Sequence, residues 1–83
     1  MKILYFAWLR ERLNRGEEDV TPPAEVTTVA SLIDWLATRD EAFAHAVEKR
    51  GLIKAAVDAK LVTHDASILG ATTVALFPPM TGG

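Results

Sequence analysis

The residues of this chain best suited to chemistry are its last seven, Phe77-Pro78-Pro79-Met80-Thr81-Gly82-Gly83. Adjacent prolines lack amide hydrogens and hold φ near the polyproline value, so a strand arriving at Phe77 cannot carry its ladder through them. Pairing should stop there and the chain should leave the body. Beyond Pro79, the residues Met80, Thr81, Gly82 and Gly83 extend by roughly 3.3–3.6 Å each, a reach of about 13 Å that would let them enter a pocket on another protein. With no side chain at Gly82 or Gly83, a narrow tunnel can close on the backbone without meeting a Cβ. The group then presented is the Gly83 carboxylate. With a pKa of about 3.5 it is ionised at neutral pH and resists nucleophiles, so it needs activation. Adenylation by an ATP-using partner would make it an acyl donor, to be taken by an amine as an amide or by a sulfur donor as a thiocarboxylate. Chain ends are commonly disordered and often hold glycine. What sets this one apart is the succession of strand, Pro-Pro, short spacer and Gly-Gly.

The remainder offers little competing chemistry. There is no cysteine, hence no disulfide, no thiol nucleophile and no thiolate metal site, and any sulfur the chain carries must sit on the terminal carbon. His45 and His64 stand nineteen residues apart without a carboxylate pattern that would make a zinc site, and the serines and threonines are isolated. No glycine-rich loop follows a strand to cradle phosphate. ATP must therefore be bound elsewhere, and no cofactor or metal is expected on this chain.

With 83 residues, 49% of them hydrophobic and 24% charged, the composition is that of one globular domain. A body over residues 1–77 and a tail over 78–83 are expected. A domain this small buries only about 60–65% of its unfolded surface, so a partner surface would help it. The net charge of −2 with scattered basic residues argues against nucleic acid and against an anionic membrane. Met1 to Leu9 resembles a short signal peptide, but Arg10-Glu11-Arg12 stands where a small-residue cleavage site should lie. No apolar run approaches the roughly 18 residues of a membrane span, and a cytoplasmic location is expected.

The elements that would position the tail follow from periodicity. Lys2 to Phe6 is apolar on both alternating sets, which predicts a central strand covered on both faces. Ala7 to Asn14 switches to helical spacing with Leu9 and Leu13 one turn apart, closed by Asn14-Arg15-Gly16; Trp8 beside them is expected to be half-buried. A polar strand is expected over Glu17 to Val20. The clearest helix runs from Val29 to Arg39, with Val29, Leu32, Ile33 and Leu36 on one stripe and Thr28 as N-cap. Ser31 stands where Glu would complete a capping box, so a weaker cap is expected. Asp40 should cap a short helix over Glu41 to Glu48, ended by Lys49-Arg50-Gly51. Ile53 to Asp58 and Leu61-Val62 read as a hairpin whose turn lacks the Asn-Gly or Asp-Gly of a type I′ loop. Thr72 to Phe77 forms the last strand, with Val74 and Leu76 on one face, Ala75 and Phe77 on the other. That second apolar face exceeds what a small core needs and is expected to dock a partner.

The ending Phe-Pro-Pro-x-x-Gly-Gly resembles that of the ubiquitin-like sulfur carriers of the molybdopterin synthase small-subunit type, and Phe6-Ala7-x-x-Arg10-Glu11 is similar to their Phe-Ala-x-x-Arg-Glu near the start. Thr28-Val29 and the hairpin from Ala55-Ala56-Val57 to Leu61-Val62 fit in the same order, so the resemblance covers nearly the whole chain. It implies an α+β, β-grasp fold: a mixed sheet packed on one main helix plus short helices. It further implies a non-catalytic, sulfur-donating subunit. Gly83 would be adenylated by an E1-like adenylyltransferase and converted by a sulfur donor enzyme to a thiocarboxylate. Pro78, Pro79, Met80, Thr81 and Gly82 would then insert into the large catalytic subunit of a heterotetramer, where sulfur passes to precursor Z to build the molybdopterin dithiolene. Phe77 and Arg10 would contact that partner. The chain departs from the pattern at Asp58-Ala59-Lys60, where relatives often carry Asn with Gly or Gln, and at Leu69-Gly70-Ala71-Thr72, where Asp-Gly is usual. Two alternatives belong to other classes: a thiamine-type carrier or protein-conjugating modifier, and a plain interaction domain. The Pro-Pro stalk and Arg10-Glu11 speak against the thiamine type.

Overall fold

The computed structural model of the protein describes residues 1–79. Five strands, β1 (Lys2–Tyr5), β2 (Glu17–Asp19), β3 (Lys54–Val57), β4 (Lys60–Val62) and β5 (Thr73–Phe77), form one sheet in the order β2-β1-β5-β3-β4. β1 and β5 run parallel and every other neighbouring pair antiparallel. The two strands read as apolar on both sets thus lie inside the sheet, as expected, because an edge would leave their backbone groups and side chains open to water.

Among the described residues, only one sheet face is covered. In register, Tyr5, Leu76 and Ala55 form one row and Ile3, Val74 and Val57 the next; all but the half-buried Val57 are fully buried. Over them lie α1 (Ala7–Leu13), α2 (Val29–Arg39) and α3 (Glu41–Ala46), with Leu9, Leu13, Leu32, Ile33, Leu36 and Phe43 in the same core. Each fully buried aliphatic side chain contributes about 1.5–3 kcal/mol, so the α2 stripe alone outweighs what its helical propensity could supply. The expectation that β1 is covered on both sides fails. Leu4 is half-buried and Phe6, outside the strand, is 46% exposed, because a chain of this size supplies a helical layer for one face only.

The start of α2 is better satisfied than expected. The Thr28 hydroxyl accepts from Ser31 N at 3.2 Å, while Ser31 Oγ accepts from Thr28 N at 3.0 Å and from Thr27 N at 3.1 Å. Serine thus completes the reciprocal cap assigned to Glu, because here its short hydroxyl reaches the backbone directly. The next free donors, Val29 N and Ala30 N, bond to the carbonyls of Ala66 and His64 at 3.0 and 2.8 Å, tying the helix to the loop after β4. Asp40 caps α3 as expected, accepting from Ala42 N at 2.9 Å and Phe43 N at 3.3 Å. α3 stops at Ala46, short of Glu48, and Gly51 lies in a 3-10 turn over Arg50–Leu52.

The hairpin is a two-residue loop after all. Val57 pairs with Lys60, leaving Asp58 and Ala59 with φ of 47° and 71°, the left-handed pair that matches strand twist. Asp58 holds this strained turn through β5: its carboxylate accepts from Thr72 N and Thr73 N, both at 3.0 Å, and its own N–H donates to Thr73 O at 2.9 Å. Gly70, at φ 75°, supplies a further left-handed residue in the loop that leads to β5.

Candidate functional site

The uncovered face of the sheet is the dominant surface feature. Strand alternation puts Leu4, Ala75, Ala56 and Leu61 in one row across β1, β5, β3 and β4, with Phe77 opposite Lys54 in the adjoining row. Leu4, Ala56, Ala75 and Phe77 are half-buried and Leu61 is 73% exposed. Beside Phe77 the apolar surface continues as a groove lined by Phe6, Ala7, Trp8, Leu52, Pro78 and Pro79. Contiguous apolar area of this kind marks an interaction surface.

The groove is the root of the tail. β5 ends at Phe77, as the prolines demand, and Phe6 N donates to Leu76 O at 3.2 Å, so the start of α1 is fastened beside that end. Pro78 and Pro79 are half-buried along the groove. The chain therefore stays against the body for two residues past the last ladder pair instead of leaving it at Phe77. Met80, Thr81, Gly82 and the candidate reactive residue Gly83 lie outside the described residues.

Arg10 does not join the apolar face. Its guanidinium lies over the Gly16 backbone, where an added Cβ would come within 3.2 Å of Arg10 Cζ and Nε. There it lines a polar recess with Glu11, Asn14 and Arg15 that meets the groove at Ala7. Ala7 is itself left-handed at φ 55°, the turn that brings α1 back over β1. Arg10 and Phe77 thus line two different recesses that share Ala7. Trp8 is half-buried, as expected, with the Arg12 guanidinium 4.9 Å from its ring centre.

The covered side holds a polar cluster that the sequence did not announce. The Tyr5 hydroxyl donates to Glu18 Oε2 at 2.8 Å, Arg15 bridges Glu18 at 2.9 Å and Asp40 at 2.7 Å, and Arg39 reaches Glu18 Oε1 at 3.3 Å. Burial pushes the Tyr5 phenol well above its ordinary value, and the Glu18 carboxylate adds to it. Burial also pushes the Glu18 carboxyl up, but bonds from Tyr5, Arg15 and Arg39 outweigh it and hold it below the usual range. The Arg15 guanidinium holds Asp40 low as well. This cluster clamps β2 and the α1–β2 loop to the ends of α2 and α3. Among the described residues, no three side chains of metal-binding type converge, and no helix is long and apolar enough to cross a membrane.

Leu61, Leu52 and Lys54 are surface residues that sequence reading left unassigned. The usable signal was parity: once the turn is two residues long, Leu61 must share a face with Ala56.

Comparison with known proteins places this geometry. Residues 3–83 match the model of the ThiS family. The chain is 36% identical to the molybdopterin synthase sulfur carrier subunit of Escherichia coli (strain K12), over 100% of this chain and 99% of that protein. The crystal structure of SAMP1 from Haloferax volcanii superposes with a TM-score of 0.73 at 22% identity, covering 99% of this chain and 97% of that one. A putative molybdopterin converting factor, subunit 1, from Pyrococcus furiosus gives 0.70 at 24% identity, covering 95% of each chain. These matches and the strand order make the fold a β-grasp.

Proposed function

Because this chain belongs to the ThiS family, we propose that it is the sulfur carrier of a molybdopterin synthase and that the Gly83 carboxyl carries the sulfur. The observation that carries this reading is the continuity of an apolar sheet face with the strand whose end leads into Phe77-Pro78-Pro79-Met80-Thr81-Gly82-Gly83. Full-length likeness to a named sulfur carrier supports it. The open face docks on the large subunit, with Phe77 at its centre and Arg10 as a polar contact. The tail, residues 78–82, then reaches into that subunit from its root on the groove of the domain of residues 1–77, where Pro78 and Pro79 lie.

The chemistry divides between chains. On an E1-like adenylyltransferase, a Gly83 carboxylate oxygen attacks the α-phosphorus of ATP and pyrophosphate leaves. A sulfur donor enzyme delivers sulfur at the hydrosulfide level to the acyl adenylate; the C–S bond forms, the C–O bond to AMP breaks, and a thiocarboxylate remains. In the large subunit the thiocarboxylate sulfur bonds to a carbon of precursor Z and displaces an oxygen there; water then cleaves the acyl C–S bond, leaving the sulfur on precursor Z and Gly83 as a carboxylate. This chain supplies the acyl carbon and its placement, while ATP and the catalytic groups belong to its partners in the cytoplasm.

Mass spectrometry after incubation with the activating enzyme, ATP and a sulfur donor tests the reading. The C-terminal peptide should gain the mass of one oxygen exchanged for sulfur, and the thiolated protein should support molybdopterin formation with the large subunit. Absence of that mass change under conditions that thiolate an authentic carrier would overturn it.

A further inference from the structure

We propose that the partner surface covering the open sheet face carries a carboxylate that pairs with Lys54, and that this pair fixes the docked orientation and discriminates among partners. The proposal rests on the docking reading above and adds the chemistry of the surface that docks. Lys54 lies directly across from Phe77 between β3 and β5, on the same face as Ala56. With Leu61, Val62, Thr63 and Phe77 it lines one recess. It is exposed, and among the described residues no carboxylate stands within ion-pair distance of it. The other lysine on this face, Lys2, is already paired with Glu17 at 3.3 Å.

The face is therefore polarised. At the β2 edge, Glu17 and Asp19 stand opposite Leu4 and Lys2, two carboxylates against one ammonium. At the end where the tail departs, Lys54 is a cation beside Phe77 and Leu61, with Val62 and Thr63 completing its recess. Any partner that covers Phe77 and Leu61 also strips water from Lys54, and an ammonium desolvated without a counter-charge is strongly disfavoured. A carboxylate opposite Lys54 removes that penalty and excludes partners lacking one, which is how charge sets register and specificity at an apolar interface. A surface with the opposite polarity would set like charges against both ends.

The competing possibility is that the flexible stem lets the Lys54 ammonium slip past the interface into water. Substitution separates the two. Binding to the large subunit would be measured by surface plasmon resonance for the wild type, Lys54→Met and Lys54→Glu, at low and high salt, with thermal melting of each free protein. Among the described residues Lys54 makes no ion pair, so Lys54→Met should melt as the wild type does. Its complex should be weaker by about tenfold or more, since the partner carboxylate is left unpaired, and Lys54→Glu weaker still. Association of the wild type should also fall more steeply with salt than that of Lys54→Met. Binding of Lys54→Met as tight as the wild type or tighter overturns the inference while leaving the docking reading in place. A wild-type chain that fails to bind overturns both.

Discussion

Phe77 ends the last strand on the open face, and it is only half-buried, so a polar replacement there should act on binding and hardly on folding. Phe77→Asp should leave cooperative unfolding intact and weaken the complex with the large subunit by about 2 kcal/mol or more, as expected for a central aromatic anchor. Unchanged affinity would remove the face from the interface. Glu18 should behave in the opposite way, touching stability alone. Its native pKa lies below its unfolded value, so it stabilises fully above about pH 5, and that stability is lost as pH falls through the lowered native value. Tyr5 has a raised native pKa, so its part is complete below about pH 10 and is lost on going more alkaline. Glu18→Gln should cost about 1–3 kcal/mol at pH 7, and in urea titrations its deficit should shrink at pH 3. A deficit independent of pH would show that the charge of Glu18 is not what stabilises. Phe77 was legible because alternation with Val74 and Leu76 leaves it on the surplus face. Glu18 was not, because its partners Arg15, Asp40 and Arg39 are joined only by the tertiary fold.

At the scale of elements, the β3–β4 hairpin shows how a poor local signal is rescued from outside. Ala59 occupies a left-handed position at φ 71°, which disfavours any residue with a Cβ by roughly 1–2 kcal/mol. Asp58 compensates through its two bonds to the start of β5. Ala59→Gly should therefore stabilise by about 0.5–1 kcal/mol, the relieved strain less the added freedom of the unfolded chain, and raise the melting temperature by roughly 2–8 °C. A lower melting temperature would mean that the turn is not strained as its dihedrals indicate. The α2 stripe, the interior strands β1 and β5 and the Asp40 cap could be read from periodicity and capping chemistry, since those signals are local. The turn could not, because its stabilising carboxylate works across 14 residues of sequence. The same holds for Ser31, whose hydroxyl serves the two backbone amides that precede α2. Gly51 misled in the opposite direction: a glycine after two cations reads as a helix stop, but the chain there turns without needing a left-handed residue.

The whole molecule has one closed face that folds it and one open face that leads to its tail, so changes confined to the tail should separate function from stability. The open face was legible as a surplus of apolar alternation in Lys2 to Phe6 and Thr72 to Phe77, although the first of these read as fully covered because sequence cannot count the layers a short chain can build. Function should depend on Gly83 ending the chain with a free carboxyl. One residue added after Gly83 moves the carboxylate by about 3.5 Å and leaves a peptide carbonyl in its place. Misplacing reacting atoms by about 1 Å can already cost roughly a hundredfold in rate. The described core lies between Ile3 and Leu76, so an extension after Gly83 should change stability by no more than about 0.5 kcal/mol. Deleting Gly83 should fail through lost reach, and Gly82→Val through a branched side chain where the partner's tunnel closes on the backbone. In each variant, docking through Phe77 and Leu61 should persist while thiolation is abolished, a separation that binding assays and mass spectrometry on the same samples would reveal. If the extended protein is thiolated and still supports molybdopterin formation, the terminal carboxyl is not the carrier group, and the apolar face serves some other end.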